Sequence, residues 1–323
     1  MLVYTPPQPA DYIPVIDLAP SFSDGVEGAS KVAWEVHKAC RDTGFFYVVN
    51  HGVAPELCRE QLAWTQRFFA LPAEHKLALD FKASPRRLGY EPFLRQVLDE
   101  GSAPDLKESY MYRRPLAAGG AEDPTNQWPD LPGFREQMTA YQRAVGGLAL
   151  HLVRCVARSL DLSPGYFDDG FLPASCSVRL LHYPPQAALG SRNQLGAGAH
   201  TDWGALTILL QDDCGGLEVK NAAGDWIRAV PIEGAFVINL GDMMRRWTND
   251  VYHSTLHRVL NNVSGRDRYS IATFCGPHES YLVECVPSCR PADQAPRYAP
   301  CTAGEHTRQM AAKTYGAAHL AAS

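Results

Sequence analysis

The sequence predicts an α+β fold in which helices precede a sandwich or jelly roll of short β-strands. Three observations lead to this prediction. The first third of the chain alternates between helical and strand patterns, and one long amphipathic helix follows it. Short apolar segments separated by turn residues then fill most of the remaining sequence. Short strands at even spacing, with turn signals between them, are typical of sandwiches and jelly rolls.

The N-terminal region, residues 1–125, is predicted to be mixed α/β. Apolar residues recur at helical spacing from Val32 to Cys40, and the run Phe45–Val49 predicts a buried strand. Pro55 is well placed at the first position of a second helix. Proline, glycine and charged residues dominate the segment 83–125, which is typical of loops and short strands over a cleft.

A long helix and a series of strands complete the prediction. Within residues 126–170, apolar side chains step by three and four residues from Phe134 to Val156, which predicts one core-facing stripe. The region 171–290 is predicted to form the β-rich core. Its predicted strands are 177–182, 205–211, 217–220, 226–230, 235–240, 255–260 and 269–274. The turn residues 221–225 predict a hairpin, and the tail 291–323 carries a final predicted helix at 304–316.

Composition and charge exclude several classes of protein. The 323 residues, 46% hydrophobic and 20% charged, are typical of a globular chain with a sizeable core. A formal net charge of −5 gives no basic footprint for nucleic acid or for an anionic membrane. No apolar run approaches the roughly 20 residues of a membrane span, and the N-terminus has no signal-peptide pattern. We therefore expect a cytoplasmic monomer that binds a small molecule.

The nine cysteines predict neither a disulfide framework nor a zinc knuckle. Their number is odd, their spacings are irregular, and no C-x-x-C pair occurs. Cys285 and Cys289 are the closest pair, and we expect both to be reduced.

One pair of potential metal ligands stands out among the eleven histidines. His200 and Asp202 stand at the start of the β segment 205–211, and residues i and i+2 of an extended chain project from one face. His257, 57 residues further on (257 − 200), could supply a third ligand, and His253 could compete with it. Two histidines and one carboxylate occupy one face of an octahedral Fe(II) and leave three positions open. Similar sets also bind zinc in hydrolases.

Arg268 and Ser270 form a second pair on a predicted strand, eleven residues past His257 (268 − 257). A buried guanidinium beside a hydroxyl makes a bidentate clamp for a carboxylate. A buried arginine without an anionic partner would be costly, so the pair predicts an anionic ligand. A solvated turn over 265–268 is the alternative, and the spacing favours the clamp.

The order of these motifs resembles the 2-oxoglutarate/Fe(II)-dependent dioxygenases, and more narrowly their isopenicillin N synthase-like branch. The motifs are H-x-D at 200–202, H-R-V at 257–259 and R-x-S at 268–270. The resemblance covers nearly the whole chain, because the segments 13–17, 44–52, 179–185 and 239–242 also match the family.

The resemblance implies a double-stranded β-helix (jelly-roll) core flanked by helices. It also implies that the iron ligands are His200, Asp202 and His257, with H-R-V placing the distal ligand at His257 rather than at His253. The remaining coordination positions would be open to the cosubstrate and O₂.

The resemblance also implies the binding site for 2-oxoglutarate. Arg268 and Ser270 would hold its distal carboxylate, and Tyr183 would donate a third hydrogen bond. Leu181 stands where many members have an asparagine that helps to hold the keto-acid end. The proximal contact is therefore either absent or made by another side chain.

The reaction implied is oxidation of a substrate C–H bond, coupled to decarboxylation of 2-oxoglutarate to succinate and CO₂. Hydroxylation is the default outcome, and desaturation and cyclisation are variants. Three alternatives remain open: an oxidase of the same fold that does not consume 2-oxoglutarate, a non-catalytic ligand-binding protein, and a zinc hydrolase. The intact triad argues against the second, and the R-x-S motif would go unexplained in the third.

A small or medium organic metabolite is the expected substrate, and several side chains are candidates to contact it. The aromatic candidates are Tyr90, Phe93, Tyr110, Tyr112, Trp203 and Phe274. Core packing is the alternative for each of them. The arginines that could meet an acidic substrate are Arg86, Arg87, Arg95, Arg113 and Arg114.

Overall fold

Two facing β-sheets form the centre of the protein, and helices cover the outside of the larger sheet. The structure is a computed structural model that describes residues 11–96, 103–113, 123–172, 174–187, 194–290 and 292–315. Within these ranges the helices are α1 (Ala19–Ser23), α2 (Gly25–Asp42), α3 (Pro55–Phe69), α4 (Ala73–Leu77), α5 (Phe134–Ser159), α6 (Asp168–Phe171), α7 (Asp242–Trp247) and α8 (Ala303–Tyr315).

The described strands run from the N-terminal region to the tail. They are β1 (Val15–Asp17), β2 (Phe45–Val49), β3 (Gly89–Glu91), β4 (Glu108–Arg113), β5 (Ser175–Tyr183), β6 (Ala197–His200), β7 (Leu206–Gln211), β8 (Leu217–Lys220), β9 (Trp226–Arg228), β10 (Phe236–Leu240), β11 (His257–Val259), β12 (Arg268–Gly276), β13 (Leu282–Val283) and β14 (Cys301–Thr302).

The larger sheet has eight strands in the order β1-β2-β10-β7-β12-β5-β4-β3. Its first pair is parallel and its other pairs are antiparallel. The smaller sheet has the order β6-β11-β8-β9. Apolar side chains of both sheets, such as Leu181 and Ala272 from the larger and Leu217 and Val259 from the smaller, share one cluster. The two sheets therefore enclose a common interior, as expected of a jelly roll.

The long helix α5 packs against α2, α3 and the outer face of the larger sheet. Its apolar stripe, with Phe134, Tyr141 and Val145, is fully buried. Gln142 on the same helix donates to the carbonyl of Cys176 on β5 at 2.9 Å. Burial of each large apolar side chain stabilises this packing by about 1.5–3 kcal/mol.

The structure confirms the predicted order of elements and corrects some of their bounds. The long helix, the strand Phe45–Val49 and the helix beginning at Pro55 are present, and the tail helix spans Ala303–Tyr315. The strand β6 was not predicted. Its sequence, Ala-Gly-Ala-His, carries no apolar alternation, and it belongs to the smaller sheet rather than to the start of β7.

The nine cysteines are free thiols. Cys176 and Cys275 face each other across β5 and β12, with 3.0 Å between their sulfur atoms. Among the described helices, none combines the length and the apolar character needed to span a membrane.

Candidate active site

The side chains of His200, Asp202 and His257 converge between the two sheets. His200 ends β6, His257 begins β11, and the two residues are direct partners in the antiparallel pairing of these strands. Their Nε2 atoms lie 3.9 and 3.8 Å from Oδ1 of Asp202. One ligand atom from each residue lies within 4.8 Å of the other two, a spacing that suits a single metal ion. His253 is exposed and lies outside this group.

Backbone carbonyls orient both imidazole rings. Nδ1 of His200 lies 2.7 Å from the carbonyl oxygen of Gly198, and Nδ1 of His257 lies 3.1 Å from that of Thr255. Because a carbonyl oxygen only accepts hydrogen bonds, each Nδ1 carries a proton, which leaves Nε2 as the nitrogen that can coordinate a metal in the site. Burial, reinforced by the neighbouring His257, lowers the pKa of His200 to about 3, so this ring is neutral near pH 7.

Asp202 is buried and fixed by two neighbouring strands. Its Oδ2 accepts hydrogen bonds from Thr207 on β7 at 2.5 Å and from Asn239 on β10 at 2.7 Å. Burial alone would raise the pKa of Asp202, but the two imidazoles and these hydrogen bonds outweigh it and hold the pKa below its ordinary value. The carboxylate therefore stays ionised and turns Oδ1 towards the histidines. Two imidazoles and one carboxylate fit Fe(II) with open positions.

Arg268 and Ser270 lie deeper in the same interior, on β12. Arg268 is 2% exposed, and its guanidinium lies 4.6 Å from the centre of the Tyr183 ring on the paired strand β5. Its Nη1 donates to Ser270 Oγ at 3.3 Å, and its Nε donates to the carbonyl of Gly215. In the described part of the chain, no carboxylate lies within 4.0 Å of this cation. A buried guanidinium of this kind calls for an anionic ligand.

Comparison with known proteins identifies the family. The profile of the 2OG-Fe(II) oxygenase superfamily matches residues 174–277, and that of the N-terminal region of the non-haem dioxygenase in morphine synthesis matches residues 13–131. The hxnY 2-oxoglutarate-Fe(II) type oxidoreductase of Emericella nidulans is 36% identical over 318 residues, which cover 94% of this chain and 91% of the relative. This chain belongs to the 2-oxoglutarate-Fe(II) oxygenase superfamily.

Two further similarities agree with this membership. Homoarginine-6-hydroxylase of Arabidopsis thaliana is 35% identical to this chain over 297 residues, which cover 86% of this chain and 88% of the relative. The crystal structure of a full-length Neurospora crassa protein in complex with alpha-KG and thymine matches with a TM-score of 0.86 and 31% identity. That match covers 94% of this chain and 97% of the other. The protein is a 2-oxoglutarate-dependent Fe(II) dioxygenase, and a zinc hydrolase or a non-catalytic protein no longer fits.

A cavity of about 1010 Å³ connects the histidines with the arginine clamp of the oxygenase. Its lining includes Tyr183, Arg268 and Ser270. It also includes Trp203, Phe274 and residues of the helix α8. Of the aromatic residues predicted to contact substrate, Trp203 and Phe274 are therefore in a position to do so.

The structure corrects the prediction for the three tyrosines. Tyr90, Tyr110 and Tyr112 are buried in the hydrophobic core and do not line the cavity. Side chains alternate across a strand, so on β4 the tyrosines face α5 while their neighbours Ser109, Met111 and Arg113 face the interior. Their ring contacts include Phe68, Trp128 and Phe134. Phe93 is half-buried and also lies outside the cavity lining.

Four of the five predicted arginines line the cavity: Arg86, Arg87, Arg95 and Arg113. Arg114 lies outside the described residues. Arg86 pairs with Glu279 at 3.1 Å, and Arg113 donates to Ser175 Oγ at 3.0 Å.

Several cavity residues were not predicted from the sequence. Lys107, with only 4% of its side chain exposed, contacts Asp105, and Arg179 contacts Glu91. Along the segment 107–113 the residues at odd positions are mostly polar or charged, and this alternation is the signal that could have found Lys107. Thr207 was missed because a residue that supports a ligand has no motif of its own. Asn239 lies in the segment 239–242 that resembles the family, but its hydrogen bond to Asp202 was not predicted.

Proposed function

We propose that the oxygenase oxidises a C–H bond of a small organic acid, with hydroxylation as its default outcome. Fe(II) would be held by His200, Asp202 and His257. Bound iron and 2-oxoglutarate supply the oxidising chemistry, and the protein positions the substrate and excludes water. The observation that carries the proposal is that the triad and the Arg268 clamp open into one cavity.

The distal carboxylate of 2-oxoglutarate would be held by three side chains at the deep end of the cavity. Arg268 and Ser270 already share a hydrogen bond, so their donors are placed side by side. Burial raises the pKa of Tyr183 above its ordinary value, so its hydroxyl remains a hydrogen-bond donor at neutral pH. An arginine with neighbouring hydroxyls is a chemically suitable site for a carboxylate.

The charge of the cavity supports an anionic substrate. Lysine and arginine supply nine of the lining residues, and aspartate and glutamate supply three. The whole chain has the opposite balance, with 30 basic and 35 acidic residues. Because Fe(II) and doubly charged 2-oxoglutarate cancel each other, a positive surplus remains for the substrate. Trp203 and Phe274 add apolar surface near the triad, which suits a hydrocarbon or aromatic body.

Anaerobic titration of the Fe(II) protein with 2-oxoglutarate tests the cofactor assignment. We expect a visible metal-to-ligand charge-transfer band for the wild type and no band for His200→Ala, because one of the three ligands is lost. The variant Arg268→Met should need far more 2-oxoglutarate to reach the same band. A wild type without this band would contradict the proposal.

Substrate-stimulated succinate formation tests the substrate class. We expect organic acids to stimulate succinate formation, and we expect their primary amides, which have the same shape without the charge, to be much poorer. Mass spectrometry of the product then separates hydroxylation from desaturation and cyclisation. Equal stimulation by acids and amides would rule out the anionic class while leaving the cofactor assignment intact.

A further inference from the structure

Lys107 is a buried lysine in the wall of the cavity. It directly precedes β4, and its side chain lies on the same face of that strand as Ser109 and Met111. The register of β4 and β5 pairs Glu108 with His182 and Ser109 with Leu181. Extending this register by one residue places Lys107 beside Tyr183. Arg268 pairs with Tyr183 from the opposite side, on β12. Lys107, Tyr183 and Arg268 therefore form one row across three strands.

Asp105 fixes the position of this lysine relative to the metal triad. Its carboxylate contacts Lys107 Nζ, and its Oδ1 accepts a hydrogen bond from the backbone N–H of Gly198 at 2.9 Å. Gly198 lies on β6, and its carbonyl oxygen orients His200. The chain around Lys107 is thus attached directly to the strand that carries one of the histidines.

The ammonium group of Lys107 has hydrogen-bonding capacity to spare. It carries three donors, and in the described part of the chain Asp105 is its hydrogen-bond partner. Burial lowers the pKa of Lys107 to about 8, against the opposing effect of Asp105, so the cation is still present at pH 7. A buried cation with free donors is stabilised when an anion binds beside it.

We propose that Lys107 donates a hydrogen bond to the metal-proximal carboxylate of 2-oxoglutarate, the contact that the apolar Leu181 cannot make. The inference rests on the proposed cosubstrate site, in which Arg268 and Ser270 hold the distal carboxylate. With one cation at each end of the row, the cavity would hold both carboxylates of the cosubstrate.

Calorimetric titration of the anaerobic Fe(II) protein with 2-oxoglutarate tests the inference. Lys107→Met keeps the length of the side chain and removes its charge, and we expect 2-oxoglutarate binding to weaken by about tenfold to a hundredfold, the usual effect of one charge-assisted hydrogen bond. Lys107→Arg should recover most of the affinity. Unweakened binding by Lys107→Met would overturn the inference.

The pH profile of binding separates a direct contact from a merely structural role. As pH rises through about 8, the free lysine loses its proton, so wild-type affinity should fall while that of Lys107→Met stays level. The other charged or titratable groups that face this point are Asp105, Glu91, Arg179, Tyr183 and His200. Burial raises the pKa of Tyr183 and lowers that of His200, which moves both away from this range. A wild-type affinity that is level from pH 7 to 9 would overturn the inference, even if no variant folds.

Two controls keep this outcome distinct from the proposed function. Fe(II) affinity should be the same in the wild type and in Lys107→Met. If Lys107→Met lost Fe(II) affinity and the pH dependence of its 2-oxoglutarate binding matched that of the wild type, the lysine would only support β6. Arg268→Met should weaken 2-oxoglutarate binding whatever happens at Lys107. If Arg268→Met binds normally, the proposed cosubstrate site fails independently.

Discussion

His200 and His257 are direct partners on two antiparallel strands, although 57 residues (257 − 200) separate them in the chain. The centres of their rings are 4.3 Å apart. Because a shift of one residue in the register of a strand turns every side chain to the other face, the pairing of β6 with β11 decides whether the two rings meet. The metal site is therefore part of the smaller sheet rather than an addition to it.

We expect Thr207 to control iron affinity through Asp202. Its hydroxyl donates to Asp202 Oδ2 at 2.5 Å, so Thr207→Val, which has nearly the same shape, removes the hydrogen bond without opening a cavity. Losing a group that orients a metal ligand typically costs about 10–100-fold in metal affinity. Competition between the protein and a chelator for Fe(II) measures this change.

Thr207→Ser is the matched control for that experiment. It keeps the hydroxyl and removes only a methyl group, so its iron affinity should stay close to that of the wild type. Equal losses in the serine and valine variants would show that packing, rather than the hydrogen bond, supports Asp202.

Spacing in the sequence located part of this site, and the rest required the register of the sheets. His200 and Asp202 could be predicted because two ligands in one extended segment leave a local pattern. Spacing alone could not choose between His253 and His257, which share a segment; the family's H-R-V motif indicated His257, and its pairing with His200 now gives the physical reason. The alternation along 107–113 marks the face of Lys107, but its place beside Tyr183 follows only from the β4–β5 register, which no local pattern displays.

The tyrosines of β4 show a different limit of prediction from the sequence. An irregular, charged segment of sequence predicts a cleft, and Tyr110 and Tyr112 lie in such a segment without reaching the cavity. The side of the strand that becomes the interior depends on where α5 packs, and α5 lies on the side of the tyrosines. One face of β4 packs against α5 and the other lines the cavity. The polarity of the side chains therefore distinguishes the two faces better than their aromatic content does.

We expect Tyr112→Phe to affect stability and not substrate recognition. The hydroxyl of Tyr112 donates to the carbonyl of Met138 on α5 at 3.0 Å, and losing this bond should cost about 1 kcal/mol of unfolding free energy. Denaturant unfolding measures this cost. Phe274→Ala should instead raise the KM for the acid that best stimulates succinate formation, because Phe274 lines the cavity. A raised KM in Tyr112→Phe would show that this tyrosine takes part in substrate binding.

Glu108 is expected to make stability depend on pH. Its buried carboxylate accepts hydrogen bonds from Lys76 at 2.8 Å, from His182 at 2.7 Å and from Tyr90. Burial raises the pKa of Glu108, but these hydrogen bonds outweigh it, and the pKa lies below its ordinary value. Such a group contributes stability above the pKa of the unfolded chain and loses it as pH falls through the folded-state pKa.

Glu108→Gln should therefore lower the unfolding free energy by about 1.5–3 kcal/mol at pH 7, the usual range for hydrogen bonds to a charged group. The difference from the wild type should begin to shrink as pH falls below 4.5, the ordinary pKa of glutamate, and should disappear at lower pH as the folded carboxylate is protonated. Denaturant unfolding at pH 7 and in acid measures both values. Glu56→Gln, at an exposed pair with Arg59, is the control and should show no measurable change. A deficit that is constant with pH would contradict this interpretation.

Gly241 is expected to be irreplaceable because it touches the backbone of the metal segment. A Cβ atom at this position would lie 2.3 Å from the carbonyl oxygen of Gly204 and 2.8 Å from that of Asp202. Real Cβ atoms do not approach so closely, and backbone atoms cannot swing aside as a flexible side chain can. The Asp202 carbonyl is also held by the N–H of Asp242 at 2.7 Å, so relief of the clash must move the chain that carries the ligand.

Gly241→Ala should therefore weaken both folding and iron binding. Overpacking of this kind costs about 1–3 kcal/mol of unfolding free energy, and displacement of Asp202 should lower Fe(II) affinity in the same variant. Gly147→Ala is the matched change on α5, where nothing lies within 4 Å of the new methyl group. In that helix alanine should stabilise the protein by about 0.5–1 kcal/mol and leave iron binding unchanged. Normal iron affinity in a folded Gly241→Ala protein would show that the Asp202 segment can move without losing its ligand geometry.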